Sequence, residues 1–388
     1  MKFLFLTQSY YPDRCGVANV VSYLAEGLVD QGHEVTVFTE KRNRAIISQN
    51  GVNIKEFECR GNAAVGYQGE VQRYRDEVAA FTGDVIVAEC AQVWCTDLIL
   101  PILEQLKPLC VLHSHDFSYF KRKPKNPVTN IRWLLYFRRL ARSVFNFNAV
   151  FVLDHSLSDK RWLESVGYKN VFELPNAANQ RYFQEGAELT DTVCSNFGLE
   201  VGAYVISVAN YSLIKNQKGL IKSYLKSGNE IDLVLIGSKF NAYSDSILKE
   251  IAARKKNPVE RTKPRIYVLA DLKPEEHLAL LRGARAFVYA SRLEAFPLVI
   301  VESIVSEVPW VSTDVGCVRN LPGGVVASNH RKLSSILEKV LNDDLKLAEL
   351  RNICAKEKRR FCPEQIVILF LKTINDIQLK SKIVEQSI

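Results

Sequence analysis

The sequence predicts an α/β protein built from two doubly wound domains. Short apolar runs alternate with longer amphipathic stretches along most of the chain, a pattern typical of parallel sheets covered by helices. A length of 388 residues suits two domains. A polar, turn-rich stretch over residues 175–200 divides the alternation into two halves of similar size, and we interpret it as the linker.

In the first half the clearest helix covers residues 17–31, where Val20, Leu24 and Leu28 lie on one face. Gly32 ends this helix before the next apolar run. Six short apolar runs predict the strands of the first sheet, at residues 2–6, 34–39, 84–88, 109–112, 149–153 and 171–174.

The alternation restarts after the linker. Five further runs predict strands at residues 204–208, 232–236, 265–269, 286–290 and 309–312. The segment after Pro363 predicts one long closing helix. We expect an N-terminal domain over residues 1–178, to which the helix at residues 365–388 could return, and a C-terminal domain over residues 179–364.

Composition excludes several classes of protein. Hydrophobic residues make up 47% and charged residues 24% of the chain, which excludes whole-chain disorder. The longest apolar runs are far shorter than the ~20 residues of a membrane-spanning helix. The first residues lack a signal-peptide cleavage pattern, so we expect a cytoplasmic protein.

The cysteines predict free thiols rather than a disulfide framework. There are nine, an odd number, and no two have Cys-x-x-Cys spacing. Cys110, His113 and His115 form one loose group, which leaves a weak zinc alternative open. We expect no metal and no cofactor.

The net charge of +8 arises largely from one segment, residues 118–147, which contains no acidic residue. Such a local cluster favours one anionic surface over nucleic-acid binding. Apolar and aromatic residues between the basic ones predict an amphipathic helix, which suits either an anionic membrane surface or a core position with a solvated basic face. The basic residues are Lys121, Arg122, Lys123, Lys125, Arg132, Arg138, Arg139 and Arg142.

The candidate functional residues of the first half follow predicted strands, where ligands of doubly wound sheets bind. Gly16 precedes a helix, so it could let the backbone approach an anion, or it could simply form a turn. The dinucleotide pattern Gly-x-Gly-x-x-Gly is absent. His115 stands beside Asp116 and could be oriented to donate a hydrogen bond or carry a proton; a structural role is equally open.

The second half offers a lysine and two carboxylates. Lys215 could pair with a phosphate, or be a solvated surface residue. Glu294 precedes a helix that Pro297 begins, and could accept from sugar hydroxyls or cap the helix. Glu302 lies among apolar residues, where an acid needs a partner, and the diol of a ribose is one candidate.

Glu294 and Glu302 have the E-x7-E spacing, and with several other segments they resemble retaining GT-B glycosyltransferases, especially glycosyltransferase family 4. The similarity covers residues 1 to about 340. The other matching segments are Tyr10-Tyr11-Pro12, Gly16-Val17-Ala18, Gly32-His33-Glu34-Val35, Leu174-Pro175-Asn176 and Ala290-Ser291-Arg292-Leu293-Glu294-Ala295-Phe296-Pro297.

The resemblance implies two Rossmann-like domains facing across a cleft. Among catalytic residues, it implies that His115 lies near the transferred sugar, Lys215 holds the donor diphosphate, and Glu294 contacts the sugar. Donor-binding positions then also include Gly16, Asn210, Ala295, Phe296 and Glu302, the last at the ribose.

Four positions depart from the family pattern. The family commonly has two loop glycines, the first of which is Cys15 here, Gly-Arg where this chain has Ala209-Asn210, and Gly where it has Ala295. The missing arginine leaves Lys215 with more diphosphate charge to balance. Arg14 or Arg292 could compensate.

The resemblance implies transfer of a sugar from a nucleotide-sugar donor, with uridine the expected base, and with retention of anomeric configuration. Because no Asp-x-Asp motif occurs, we expect metal-independent transfer. The expected acceptor is a glycan or lipid-linked glycan at the inner face of the membrane. Nucleotide-sugar epimerisation and a catalytically weakened sugar-nucleotide-binding subunit remain alternatives.

Overall fold

The computed structural model describes the chain except residues 14, 43–47, 118–119, 121–124, 185–187, 256–263 and 387–388, and except the side chains of 188–189, 255 and 381–386. Arg14 and the basic residues Lys121, Arg122 and Lys123 therefore lie outside the described residues. The chain forms two compact units. Unit 1 comprises Met1–Ala177 with Pro363–Ile388, and unit 2 comprises Ala178–Cys362.

Unit 1 contains ten strands and six helices of the described chain, apart from short 3-10 turns. The strands are β1 (Lys2–Leu6), β2 (Glu34–Glu40), β3 (Ser48–Gln49), β4 (Val52–Phe57), β5 (Cys59–Asn62), β6 (Gly66–Gly69), β7 (Val85–Glu89), β8 (Leu109–His113), β9 (Ala149–Val152) and β10 (Val171–Glu173). The helices are α1 (Gly16–Asp30), α2 (Val71–Ala79), α3 (Trp94–Asp97), α4 (Pro127–Ser143), α5 (Ser158–Ser165) and, at the chain end, α13 (Pro363–Gln386).

The main sheet of unit 1 has the strand order β10-β9-β8-β7-β1-β2-β4-β3, parallel except for β3. Every residue of β7 is buried, as expected for a strand covered by helices on both faces. Closing helix α13 packs against α1, and the close approach needs Gly27, because a Cβ there would lie 2.6 Å from Val367 Cγ2.

Unit 2 contains six strands and seven helices of the described chain, apart from short 3-10 turns. The strands are β11 (Tyr204–Val208), β12 (Asp232–Gly237), β13 (Ile266–Ala270), β14 (Ala286–Tyr289), β15 (Trp310–Thr313) and β16 (Gly324–Ala327). The helices are α6 (Glu188–Asn196), α7 (Gln217–Lys226), α8 (Ala242–Lys255), α9 (Pro274–Arg282), α10 (Leu298–Val305), α11 (His330–Leu341) and α12 (Asp344–Glu357).

All six strands of unit 2 are parallel, in the order β13-β12-β11-β14-β15-β16. The order reverses between β11 and β14, which is the topological switch of a doubly wound sheet. In unit 1 the corresponding reversal lies between β1 and β7. The predicted α/β class with two Rossmann-like sheets is confirmed.

The interpretation of residues 175–200 as a linker is wrong for most of that stretch. The chain enters unit 2 at Ala178, forms a 3-10 turn over Gln180–Phe183 and then helix α6, which packs on α9. The polar composition reflects an outer helix and its turns. Strands β3 to β6 and β16 were also not predicted; they are short and mostly only partly buried, so their apolar pattern is weak.

Candidate active site

Two candidate residues of unit 2 lie on the two loops at its sheet switch. Lys215 is in the loop after β11, and Glu294 is in the loop after β14. Because these strands are parallel neighbours, their carboxyl ends open at the same edge of the sheet. The fold therefore brings together residues that are 79 positions apart in sequence.

The two side chains form an ion pair with a tyrosine hydroxyl between them. Lys215 Nζ lies 2.5 Å from Glu294 Oε1 and donates to the Tyr289 hydroxyl at 3.1 Å. That hydroxyl donates to the same carboxylate oxygen at 2.6 Å. The Lys215 side chain is 28% exposed and that of Glu294 12%, so solvent reaches the pair and it could exchange partners with a ligand.

Backbone contacts hold both loops in place. Ile214 O accepts from Arg292 N at 2.8 Å, which ties the lysine loop to the glutamate loop. Ala295 O accepts from Cys317 N at 3.0 Å. Gly316 has φ +56°, and a Cβ there would lie 2.1 Å from Ala295 O, so only glycine fits without a shift.

Glu302 lies on α10, among different partners from those of Glu294. Burial raises the pKa of its carboxyl to about 7, although the nearby Arg181 charge and a hydrogen bond from Tyr182 both oppose the rise. The Tyr182 hydroxyl also lies 3.2 Å from His277 Nδ1. Glu302 is thus an acid whose pKa lies near neutral pH. The 3-10 turn over Gln180–Phe183 lies beside it.

The other donor-site residues predicted in unit 2 differ in exposure. Asn210 is exposed, and its backbone oxygen accepts from Gln217 Nε2 at 3.1 Å. Phe296 is buried, whereas Ala295 is partly exposed. Donor contact by these three residues stays a prediction.

In unit 1, Gly16 is the first residue of α1 and is exposed. Cys15 precedes it in extended conformation and makes no side-chain cap to the helix. The loop follows β1, one of the two strands at the switch of this sheet. The placement suits an anion at a helix N-terminus, which stays a prediction.

His115 lies just beyond β8 and is held by a residue that the sequence analysis did not select. Its Nε2 atom lies 2.6 Å from Glu89 Oε2, at the end of neighbouring strand β7. Asp116, the partner suggested by sequence adjacency, instead accepts from the amides of Ser158 and Asp159 at the start of α5. That part of the sequence prediction is wrong, because positive φ at both His115 and Asp116 turns the chain.

Within the described part of the chain, one group of three side chains has metal-ligand chemistry and lies close enough to share an ion. It comprises Glu89, His113 and His115. Cys110 is not a member, so the loose zinc grouping suggested by the sequence is not the one the fold assembles. All nine cysteines are free thiols; six are buried, whereas Cys15 is exposed and Cys90 and Cys362 are partly exposed.

The fold and the two strand switches place the chain among two-domain, Rossmann-like α/β proteins. The family models are more specific: Glycosyltransferase Family 4 matches residues 15–167, and Glycosyl transferases group 1 matches residues 199–361. Together the two models match most of the chain, which therefore belongs to the GT-B glycosyltransferases. No curated protein sequence matches it significantly.

Solved structures share the fold at low sequence identity. Sucrose-phosphate synthase from Thermosynechococcus elongatus is 15% identical with a TM-score of 0.75, and the match covers 98% of this chain and 99% of that one. Anabaena HepE in complex with UDP is 17% identical with a TM-score of 0.73, covering 97% and 100%. WaaG, a glycosyltransferase involved in lipopolysaccharide biosynthesis, is 14% identical with a TM-score of 0.65, covering 95% and 99%.

Residues Pro127–Ser143 of the basic segment form helix α4, the predicted helix, and its apolar residues lie on two faces. Tyr136, Phe137 and Leu140 are buried in unit 1. Four further apolar side chains of the helix are each more than half exposed: Val128, Ile131, Leu134 and Leu135. Lys125, Arg132, Arg138, Arg139 and Arg142 are exposed beside them.

Three residues of these sites were missed by sequence reasoning. Glu89 ends a strand that reads as purely apolar, Tyr289 ends another, and Tyr182 lies in the segment interpreted as linker. Glu89 directly follows the strand predicted over residues 84–88, so its position could have marked it, whereas Tyr289 lies within the strand predicted over residues 286–290 and gave no such signal.

Proposed function

We propose that this glycosyltransferase moves a sugar from a nucleotide-sugar donor, a UDP-sugar, to a glycan or lipid-linked acceptor with retention of configuration. The observation that carries the proposal is the Lys215–Tyr289–Glu294 cluster at the sheet switch of unit 2. Support for the donor class comes from HepE, which has the same fold and whose structures hold UDP or UDP-glucose.

In this proposal Lys215 exchanges its contact with Glu294 for the donor diphosphate. Negative charge grows on the leaving phosphate as the glycosidic bond breaks, and a fixed cation stabilises that charge more than it stabilises the ground state. Glu294, released from the lysine, accepts hydrogen bonds from sugar hydroxyls. Glu302, with its raised pKa, would meet the ribose diol, and His115 and Gly16 of unit 1 would serve the sugar and the phosphate.

Retention without a dedicated base is consistent with departure of the diphosphate and attack on the same sugar face. The leaving phosphate then takes the acceptor proton, so the chain supplies charge stabilisation and orientation rather than a nucleophile. Metal-independent transfer follows if Lys215 and backbone amides carry the diphosphate charge. Asn210, where the family commonly has arginine, makes Lys215 more important for that balance.

The test compares nucleotide binding with turnover. Calorimetry with UDP, GDP and UDP-glucose identifies the base, and donor consumption is then followed with and without glycan acceptors in EDTA. We expect UDP to bind and the donor to be consumed only with an acceptor. Consumption without acceptor would indicate epimerisation or hydrolysis, binding without turnover across a broad acceptor panel would indicate a binding subunit, and loss of activity in EDTA would overturn metal independence.

We also propose that α4 lies on an anionic membrane surface, which suits a lipid-linked acceptor. Exposed Ile131 and Leu135 are one helical turn apart, and Arg138 and Arg142 continue the row. Exposed apolar side chains bordered by arginine have the chemistry of an interfacial helix. Within the described residues, no helix has the length and apolar content needed to span a bilayer.

A further inference from the structure

Glu89 is a buried carboxylate without an assigned role. It ends β7, beside the sheet switch of unit 1, and its side chain has no exposed surface. Its Oε2 atom lies 2.6 Å from His115 Nε2 and 3.1 Å from His113 Nδ1. A buried charge of this kind is costly unless its partners compensate.

The two histidines do compensate it. Burial raises the pKa of the Glu89 carboxyl, yet its contacts with His113 and His115 outweigh burial and hold that pKa at about 2, below the usual range. Glu89 is therefore an acceptor, and the short contact requires His115 Nε2 to donate. Burial and the neighbouring His113 lower the pKa of His115, which favours its neutral form carrying one ring proton.

We propose that Glu89 is a positioning residue: it holds His115 as the Nε2–H tautomer and leaves Nδ1 as the ring nitrogen that accepts from a sugar hydroxyl. The inference rests on the proposed function in one respect only, which is that the hydroxyl group belongs to a sugar. The backbone supports a fixed orientation, since His115 adopts φ +54°, a conformation that persists in a non-glycine residue when its surroundings impose it.

A shared cation is the competing explanation for the same three side chains. The imidazole rings of His113 and His115 have centroids 4.0 Å apart and planes inclined by 39°, so they are partly stacked. Both ring nitrogens approach Glu89 Oε2, but two atoms bound to one tetrahedral zinc at ~2.0–2.2 Å each would lie roughly 3.4 Å apart. The 2.6 Å contact between Glu89 and His115 has the length of a charge-assisted hydrogen bond.

The experiment measures the tautomer directly and does not depend on activity. Ring ¹⁵N chemical shifts of the histidines distinguish a protonated from an unprotonated nitrogen in the full chain. We expect His115 to show a protonated Nε2 and an unprotonated Nδ1. The opposite tautomer in the wild-type protein would overturn the proposal, whether or not the protein transfers sugar.

Two variants of Glu89 and one control measure how strongly the His115 tautomer depends on the Glu89 carboxylate. Glu89→Leu keeps a side chain of similar size but removes the acceptor, so the tautomer preference of His115 should disappear. Glu89→Gln should keep part of that preference, because its amide oxygen can still accept. Where turnover is measurable, Glu89→Leu should lower kcat on the order of tenfold to a hundredfold and leave UDP affinity unchanged, by analogy with the loss seen when carboxylates that orient metal-bound imidazoles are replaced. Glu173→Gln, beside the exposed His155, is the matched control, because that pair is 3.9 Å apart.

The remaining outcomes are equally decisive. A Glu89→Leu protein with the wild-type tautomer and kcat contradicts positioning. Calorimetry with Zn²⁺ alone tests the cation explanation: one tightly bound equivalent that disappears in Glu89→Leu would replace the proposal by a metal site. Absence of turnover in every variant, with the tautomer as expected, would count against the proposed function and leave the positioning role intact.

Discussion

The ammonium of Lys215 and the carboxylate of Glu294 lie 2.5 Å apart, on the two loops that flank the strand switch of unit 2. Each charge compensates the other, and the Tyr289 hydroxyl contacts both. The proposed donor carries groups suited to both partners, an anionic diphosphate and sugar hydroxyls. Binding would therefore exchange one set of polar contacts for another rather than leave a charge unpaired.

Lys215→Ala tests the cation. Losing one fixed group that stabilises developing charge costs ~2.7–4 kcal/mol in comparable sites, so we expect kcat to fall by about 10²–10³-fold. UDP affinity should fall as well, because the diphosphate is bound before it leaves. Lys218→Ala is the control: Lys218 is in the same segment but pairs with Glu250 at 3.4 Å near the surface. Unchanged kinetics and UDP binding in Lys215→Ala would refute the diphosphate role.

Glu294→Gln separates sugar contact from nucleotide binding. The change removes the charge that neutralises Lys215, so UDP should bind more tightly by calorimetry. Turnover should fall, because the amide no longer accepts strongly from the sugar hydroxyls. Tyr289→Phe keeps both charges and should change UDP affinity less. Weaker UDP binding in Glu294→Gln would argue that the carboxylate supports the loop instead of competing with the diphosphate.

The raised pKa of Glu302 predicts a pH-dependent stability. Below the unfolded pKa of about 4.5 both states are protonated. Between that pH and the folded value of about 7, the unfolded chain loses its proton while the folded chain keeps it, so stability declines as pH rises. Glu302→Gln should flatten this decline in melting temperature, whereas Glu338→Gln on the surface of α11 should not. If the melting temperatures of Glu302→Gln and the wild type changed with pH in the same way, the raised pKa of Glu302 would be contradicted.

Gly316→Ala tests how far the glutamate loop depends on its neighbour. A methyl group would lie 2.1 Å from Ala295 O, so the loop carrying Glu294 must shift, and kcat should fall together with the melting temperature. Gly202→Ala is a matched control, because Gly202 also has positive φ, at +77°, but a Cβ there meets nothing within 4 Å. Backbone strain is common to both variants and should lower the stability of each by about 1–3 kcal/mol. A loss of kcat that occurs in Gly316→Ala alone therefore reports the clash with Ala295. Equal kcat in the two variants would show that the contact is dispensable.

Helix α4 offers a test of membrane binding. Ile131→Glu combined with Leu135→Glu should abolish flotation with vesicles containing anionic lipid, because it places charge where apolar side chains would enter the interface. Arg138→Gln with Arg142→Gln should weaken flotation by ~1 kcal/mol per arginine, and added salt should mimic that change. Wild-type protein that fails to float, or floats equally with neutral vesicles, would contradict an anionic surface.

The apolar runs were sufficient to predict the central strands of both sheets, because a strand buried on both faces must be apolar along its length. The same pattern could not reveal partly buried strands such as β4 and β6, whose exposed positions interrupt the signal. It also could not separate the outer helix α6 from a linker, since both are polar.

Local sequence determined which chemistry is present: a lysine and an acid after strands β11 and β14, and a histidine after β8. Tertiary structure alone decided the partners. Strand order placed Lys215 beside Glu294, and it made Glu89 on β7, rather than the adjacent Asp116, the residue that holds His115. The physical reason is that parallel strands distant in sequence end at a common edge, whereas a left-handed turn separates neighbours in the chain.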